Sequence, residues 1–212
     1  MLIIFDWDGT LLDSSDKIVA CMRQAAADCG VAPPSPTEVR DIIGLELSRA
    51  IAILFPSRSP EGVAEIRDAY ARRFIEADRQ PCSYFDGVER GLRRLHAAGH
   101  QLCVATGKSR KGLNRVFSHL PEAALFTASR CADETASKPD PLMLRELCEA
   151  LSVAPHDAVM VGDTEYDLEM AHRFGMPSIG VSYGVHHPDR LKQWGPRAII
   201  DHFDHLDAAL PS

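Results

Sequence analysis

The chain lacks any apolar run of the roughly 20 residues that a membrane-spanning helix needs. Its first residues enter a short apolar run directly, so we expect neither a membrane span nor a signal peptide. It also lacks an excess of positive charge, because the net charge is −7. That balance argues against nucleic acid or an anionic membrane as a partner. Internal repeats and low-complexity tracts are absent as well.

Paired cysteine motifs are also missing. No two cysteines form a Cys-x-x-Cys pair, and most lie among apolar neighbours. This pattern predicts reduced thiols in the core of a cytoplasmic protein. The six cysteines are Cys21, Cys29, Cys82, Cys103, Cys131 and Cys148.

Strand patterns are absent between residue 15 and about residue 80, where apolar residues recur at helical spacing. After Pro81, short apolar runs alternate with helical segments, which predicts a parallel sheet with helical crossovers. We therefore expect an α/β protein: a Rossmann-like core of residues 1–14 and 83–212, with an inserted all-helical cap of residues 15–82. The strands are expected at the start of the chain and at 101–106, 126–128, 158–161, 178–181 and 198–200.

The first apolar run ends in two acidic residues. Asp6 and Asp8 follow Leu2–Phe5 and are succeeded at once by Gly9 and Thr10. Two carboxylates in a poorly solvated place repel one another, and a cation between them would remove that cost. Gly9 lets the backbone turn and approach a ligand, and Thr10 adds a hydroxyl. A simple polar turn after a core strand is the alternative interpretation.

Other polar residues follow the later strands. Ligands of open α/β sheets bind beyond the carboxyl ends of the strands, so we expect these residues to meet Asp6 and Asp8. Carboxylates suit Mg²⁺, and a lysine with a hydroxyl suits a phosphoryl group. Taken singly, the lysine could be a surface residue and the threonine an ordinary strand end. The residues are Thr106, Gly107, Lys138, Asp163 and Asp167.

These residues fall in four motifs that resemble those of haloacid dehalogenase superfamily phosphatases with a small helical cap. The phosphoglycolate-phosphatase-like branch is the most similar. Trp7 is bulkier than the residue usual at its position, but strand alternation should direct its side chain away from the site. The motifs are Asp6-Trp7-Asp8-Gly9-Thr10, Ala105-Thr106-Gly107-Lys108, Ser137-Lys138-Pro139-Asp140-Pro141 and Val161-Gly162-Asp163-Thr164-Glu165-Tyr166-Asp167.

The resemblance implies a Mg²⁺-dependent phosphatase acting on a small phosphate monoester. Asp6 would be the nucleophile that forms an aspartyl-phosphate, and Asp8 the general acid and base. The metal would be bound by Asp6, the Asp8 backbone carbonyl and Asp163. Asp167 would contact these ligands from behind or bind the metal through a water molecule. A first-turn helix acid is the alternative interpretation of Asp167.

The phosphoryl group would be held by Thr106 and Lys138, with Gly9, Thr10 and Gly107 beside it. The cap would decide which ester is accepted, as a lid closing over the site. If the substrate carries a carboxylate, as phosphoglycolate does, Arg49 and Arg40 are the candidate cations. Both arginines could equally be solvated helix-surface residues.

Other functions have to be weighed against this one. A haloacid dehalogenase would not need Asp8, and a phosphonate hydrolase would need a cap lysine, for which only Lys17 is present. A β-phosphoglucomutase-like phosphotransferase shares all four motifs and stays open. A receiver-like signalling protein or a non-catalytic phospho-ligand-binding protein is the alternative from another class. The helical insertion and the motif after the first strand favour an enzyme.

Overall fold

The computed structural model describes residues 1–211, and its centre is a six-stranded parallel sheet. The strand order is β3-β2-β1-β4-β5-β6, which places β1 in the interior of the sheet. This arrangement confirms the predicted α/β class. The strands are β1 Leu2–Phe5, β2 Gln101–Thr106, β3 Phe126–Cys131, β4 Ala158–Gly162, β5 Ser178–Val181 and β6 Ala198–Ile200.

Strand β1 is buried on both faces, as its uninterrupted apolar sequence predicts. Ile3 and Phe5 pack into one apolar layer, whereas Leu2 and Ile4 pack into the other. The first layer includes residues of helices α5 and α6, and the second includes residues of α7 and α8. These helices are α5 Val88–Ala97, α6 Arg110–Phe117, α7 Leu142–Leu151 and α8 Glu165–Phe174.

Short elements complete the core. Within residues 1–211 no helix is long and apolar enough to cross a membrane. All six cysteines are free. The short elements are α9 Pro188–Lys192, α10 Leu206–Ala209 and the 3-10 helices Pro121–Leu125, Pro155–Asp157 and Phe203–His205.

Four helices lie between β1 and α5 in the chain and share an apolar cluster of their own. Val39, Ile51 and Ile66 of this cluster are fully buried. We keep residues 15–82 as the proposed extent of this cap. Its helices are α1 Ser15–Asp28, α2 Pro36–Asp41, α3 Leu47–Leu54 and α4 Pro60–Ala77.

The cap rests directly on the core through the loop between α2 and α3. A Cβ atom on Gly107 would lie 2.5 Å from the carbonyl oxygen of Gly44, so only glycine allows this approach. The Glu46 amide donates to Ser137 Oγ at 2.9 Å, and Tyr166 donates to the Asp41 carbonyl at 2.8 Å. The described conformation is therefore one with the cap closed over the strand ends.

Local contacts set several element boundaries. Helix α2 begins at Pro36, where Ser35 and Glu38 form a capping box. Strand β3 extends to Cys131 instead of ending at residue 128, because it pairs with β2 as far as Thr106. The second half of β3 is polar in sequence, and its strand conformation follows from pairing with β2.

Trp7 generates a stability prediction. Its ring is fully buried against Phe117 and Phe126, at centroid distances of 5.2 and 5.8 Å, while its indole N–H has no hydrogen-bond partner among the described residues. Trp7→Ala should lower the free energy of unfolding by about 3–5 kcal/mol. Trp7→Phe should lose much less, because it keeps the aromatic contacts and removes an unsatisfied donor. Urea unfolding followed by circular dichroism checks this, and equal losses would contradict it.

Candidate active site

Three carboxylates meet at the carboxyl edge of the sheet. Asp6 follows β1, Asp163 follows β4, and Asp167 lies in the first turn of α8. All three are at most 1% exposed. One oxygen of each lies within 4.8 Å of one oxygen of the others. Because β1 and β4 are hydrogen-bonded neighbours, Asp6 meets Asp163 and Asp167, which lie 157 and 161 positions later in the chain.

Lys138 enters this cluster from the loop between β3 and α7. Its side chain is fully buried, and Nζ lies 2.6 Å from Asp6 Oδ1 and 2.6 Å from Asp167 Oδ1. Burial alone lowers the pKa of Lys138, but the carboxylates of Asp167 and Asp6 more than offset it and hold the pKa above its ordinary value. The lysine is therefore charged, and the alternative of a solvated surface lysine is wrong.

One ammonium does not balance three carboxylates. Burial raises the pKa of Asp6 well above its ordinary value despite Lys138, and burial with the nearby Asp167 raises the pKa of Asp163 to about 7. Asp6 Oδ2 is buried with no hydrogen-bond donor among residues 1–211. If ionised, the cluster carries two uncompensated negative charges. A divalent cation bound by oxygen ligands supplies that charge, so the residues fit Mg²⁺.

Asp163 is oriented by Thr10, which the sequence analysis placed beside the phosphoryl group, and by the Val185 amide. Thr10 Oγ1 donates to Asp163 Oδ1 at 2.8 Å, and the Val185 amide donates to Oδ2 at 2.9 Å. Gly9 has φ +87°, and a Cβ there would lie 2.3 Å from Asp163 Oδ2. A Cβ on Gly184 would lie 2.1 Å from the Asp163 Cβ. The structure thus places the Gly9 and Thr10 side-chain positions against the acidic cluster.

Asp167 has a separate role for each oxygen. Oδ2 accepts hydrogen bonds from the Thr164 amide at 3.1 Å and the Thr164 hydroxyl at 2.7 Å, completing a capping box at the start of α8. Oδ1 faces Lys138. The helix-acid interpretation of Asp167 is therefore correct, and it holds together with the site interpretation. The capping box at the start of α8 therefore fixes the Asp167 carboxylate that pairs with Lys138.

Asp8 lies beside the cluster and has different partners. Its Oδ2 is 2.9 Å from Lys108 Nζ, and its Oδ1 accepts from Ser14 Oγ at 2.6 Å. Ser14 is the N-cap residue of α1, but it makes no side-chain capping hydrogen bond, because its hydroxyl donates to Asp8. Sequence reasoning missed the role of Lys108 and Ser14. Their only signal was position, inside the second motif and on the linker to the cap.

Thr106 and Gly107 end β2 next to this group. Thr106 is 1% exposed, and its hydroxyl accepts a hydrogen bond from the Lys108 amide at 3.1 Å. Gly107 lies directly beneath the cap loop and lines a cavity of about 440 Å³ between cap and core. Asp6, Asp8 and Lys108 line the same cavity, so these groups face the space between cap and core.

The two cap arginines lie away from that cavity. Arg49 Nη1 donates to the Lys138 carbonyl at 3.2 Å, and Arg40 Nη2 pairs with Asp16 Oδ1 at 2.6 Å on the surface. Neither is part of the cavity lining found among residues 1–211. Arg49 remains near the site through the lysine backbone, whereas Arg40 is remote from it.

The haloacid dehalogenase-like hydrolase family matches residues 3–181. A protein named "Probable phosphatase IndB" from Dickeya dadantii (strain 3937) is 33% identical, over 98% of this chain and 92% of its own. An N-acetylmuramic acid 6-phosphate phosphatase from Pseudomonas aeruginosa is 32% identical, over 98% and 95%. A phosphoglycolate phosphatase from Xylella fastidiosa (strain 9a5c) is 31% identical, over 94% and 88%.

Solved structures share the fold. The crystal structure of a "predicted phosphoglycolate phosphatase" from Haemophilus somnus 129pt has a TM-score of 0.87 at 24% identity, covering 98% of this chain and 96% of its own. That of a "predicted phosphatase" from Clostridium acetobutylicum has a TM-score of 0.86 at 26% identity, with the same coverage. The chain therefore belongs to the haloacid dehalogenase-like hydrolases and, within them, is an enzyme of the phosphatase type.

Proposed function

We propose that the protein hydrolyses a small phosphate monoester with Mg²⁺ through an aspartyl-phosphate, as phosphoglycolate-phosphatase-like enzymes are expected to do. One observation carries the proposal: a buried lysine joins a strand-end aspartate to an acidic cluster, and that aspartate lines the cavity between cap and core. The lysine and carboxylates supply the charges that phosphoryl transfer requires. The unpaired thiols agree with our expectation of a cytoplasmic protein.

In the first half-reaction an oxygen of Asp6 attacks phosphorus. The P–O bond to the alcohol breaks, and Asp8 donates a proton to the leaving oxygen, so that a free alcohol departs and phosphate remains on Asp6. Ser14 and Lys108 hold the Asp8 carboxylate in a single orientation. Lys138, beside Asp6, stabilises negative charge on the transferring group.

In the second half-reaction a water molecule attacks the phosphorus of the aspartyl-phosphate. Asp8, now ionised, accepts the proton from that water, and the P–O bond to Asp6 breaks. Inorganic phosphate leaves and both carboxyl groups return to their starting states. We assign the binding of phosphoryl oxygens to Thr106 and to the backbone beside Gly107, at the end of β2.

Asp6 and Asp163 are the proposed direct ligands of Mg²⁺, with the Asp8 backbone carbonyl added by family resemblance, and Asp167 would act from behind them or through a water molecule. When bound, the ion would neutralise the cluster and the phosphate charge that Asp6 has to approach. Thr10, Val185 and Thr164 would keep Asp163 and Asp167 in place for it.

The nucleophile can be tested by isosteric substitution. Asp6→Asn should abolish turnover, because an amide neither attacks phosphorus nor forms the acyl phosphate. The assay is phosphate released from p-nitrophenyl phosphate with Mg²⁺. Asp157→Asn, at an exposed position of the core domain, is the matched control and should behave as wild type. Near-wild-type turnover by Asp6→Asn would exclude the phosphoaspartate mechanism.

Metal binding has a readout that is independent of turnover. Mg²⁺ should raise the thermal midpoint of the wild-type protein, because binding to the folded state stabilises it. Asp163→Asn should remove most of that shift, while Asp157→Asn should retain it. Chelator should abolish hydrolysis by the wild type. Full activity in excess chelator, or an unchanged shift in Asp163→Asn, would contradict the assignment.

The acid role of Asp8 predicts a dependence on the leaving group. Asp8→Asn should reduce turnover by roughly 10²–10⁴-fold for alkyl esters, the usual effect of a positioned proton donor. The loss should be smaller for p-nitrophenyl phosphate, whose leaving oxygen needs no proton. Rates for both esters check this, and equal losses would count against proton donation.

A β-phosphoglucomutase-like phosphotransferase uses the same groups and differs in its acceptor. Steady release of inorganic phosphate with no added sugar phosphate is expected of the phosphatase. Transfer to an added sugar phosphate without phosphate release would identify the phosphotransferase instead.

A further inference from the structure

The cavity between cap and core is larger than a small polar leaving group needs. Its volume of about 440 Å³ lies within the range of about 300–1,000 Å³ that is typical of sites for drug-sized ligands. Asp6 and Asp8 are at one end of it, and the cap helices α1, α3 and α4 contribute to its walls. Whatever alcohol is esterified to the phosphate at Asp6 must occupy this space.

The cap walls of the cavity are mostly apolar. Five apolar wall residues are each less than 9% exposed and border the cavity between cap and core. Water in such a space is poorly hydrogen-bonded, and apolar ligand surface replaces it favourably. These residues are Met22, Ile42, Ile43, Leu45 and Phe74.

Three of the four cations in the cavity lining are paired with carboxylates. Lys108 is paired with Asp8 and lies 4.8 Å from the centre of the Phe74 ring. Arg115 is paired with Asp78 at 2.8 Å, and Arg67 with Asp68 at 3.0 Å. The fourth cation, Lys111 of α6, has no ion pair among residues 1–211, but it is exposed. The carboxylate of a two-carbon acid such as glycolate would therefore lie either at this exposed lysine or beside the buried apolar walls, where it would carry a desolvation cost.

We propose that the physiological substrate is a phosphate monoester whose alcohol carries a bulky, largely apolar group that fills this cavity. The inference rests on the proposed phosphatase function, and it adds the substrate class. It assigns the walls formed by α1, α4 and the loop before α3 as the specificity-determining surface. Phosphoglycolate would then be a poor substrate, although a relative named for that activity is 31% identical to this chain.

A series of primary alkyl phosphates tests the proposal, because ethyl, butyl and hexyl phosphate have nearly the same leaving-group basicity. Chain length then changes only cavity contacts. The value of kcat/KM should rise by up to roughly fourfold per methylene, which corresponds to about 0.8 kcal/mol for a fully buried CH₂. Hexyl phosphate should exceed ethyl phosphate by at least roughly tenfold, and it should exceed phosphoglycolate.

Two variants assign the effect to the cavity. Ala71→Trp adds bulk at an exposed lining position of α4, and Met22→Gln makes one wall polar at nearly constant length. Each should reduce the hexyl-to-ethyl ratio of kcat/KM by roughly tenfold or more. Ile53→Gln, at a 51% exposed cap position outside the lining, is the control and should keep the ratio. Thermal unfolding verifies that each variant is folded.

The outcomes separate this inference from the proposed function. Hydrolysis of every ester with a flat dependence on chain length, or with phosphoglycolate preferred, would overturn the apolar substrate class while the phosphatase function stands. An unchanged ratio in both folded lining variants would also overturn it. Absence of phosphate release from all esters, including p-nitrophenyl phosphate, would instead refute the phosphatase function itself.

Discussion

The buried contact of Lys138 with Asp6 and Asp167 is the constraint on which the rest of the site depends. A lone ammonium or carboxylate in a dry interior is costly, so each of these groups is tolerable only because the others are present. When Asp163 is included, the cluster has more negative than positive charge. Burial, together with the neighbouring carboxylates, raises the pKa values of Asp6 and Asp163. The site is thus prepared for a cation and for a transferring phosphoryl group.

The backbone around the cluster is shaped so that the carboxylates can approach. Gly162 would place a Cβ 2.3 Å from that of Asp167, and Gly9 has no Cβ to meet Asp163. Hydrogen bonds then fix two of the acids. The Thr10 hydroxyl holds Asp163, and the Thr164 hydroxyl at the start of α8 holds Asp167. These second contacts orient the reactive groups as outer-shell residues orient metal ligands. They give Gly9 and Thr10 of the first motif a structural role in holding the acids.

The cap and the core divide the chemistry between them. The core supplies the groups that act on phosphorus, whereas the cap closes the space above them through the close contact between Gly44 and Gly107. The cap presents mainly apolar side chains to this space, opposite core residues such as Lys108.

The parallel α/β class and the helical insertion could be predicted from the sequence, because buried strands and helices have distinct periodicities. The strand-end residues from Asp6 to Asp167 could be predicted as well, because parallel strands end at one edge of the sheet. Tertiary structure decided the partners. Ser14 could cap α1 or bind Asp8, and only folding placed it at Asp8. Arg40 and Arg49 looked alike in sequence, yet both were directed away from the cavity. Side-chain partners depend on which distant segments approach within hydrogen-bond range, and no local pattern encodes that distance.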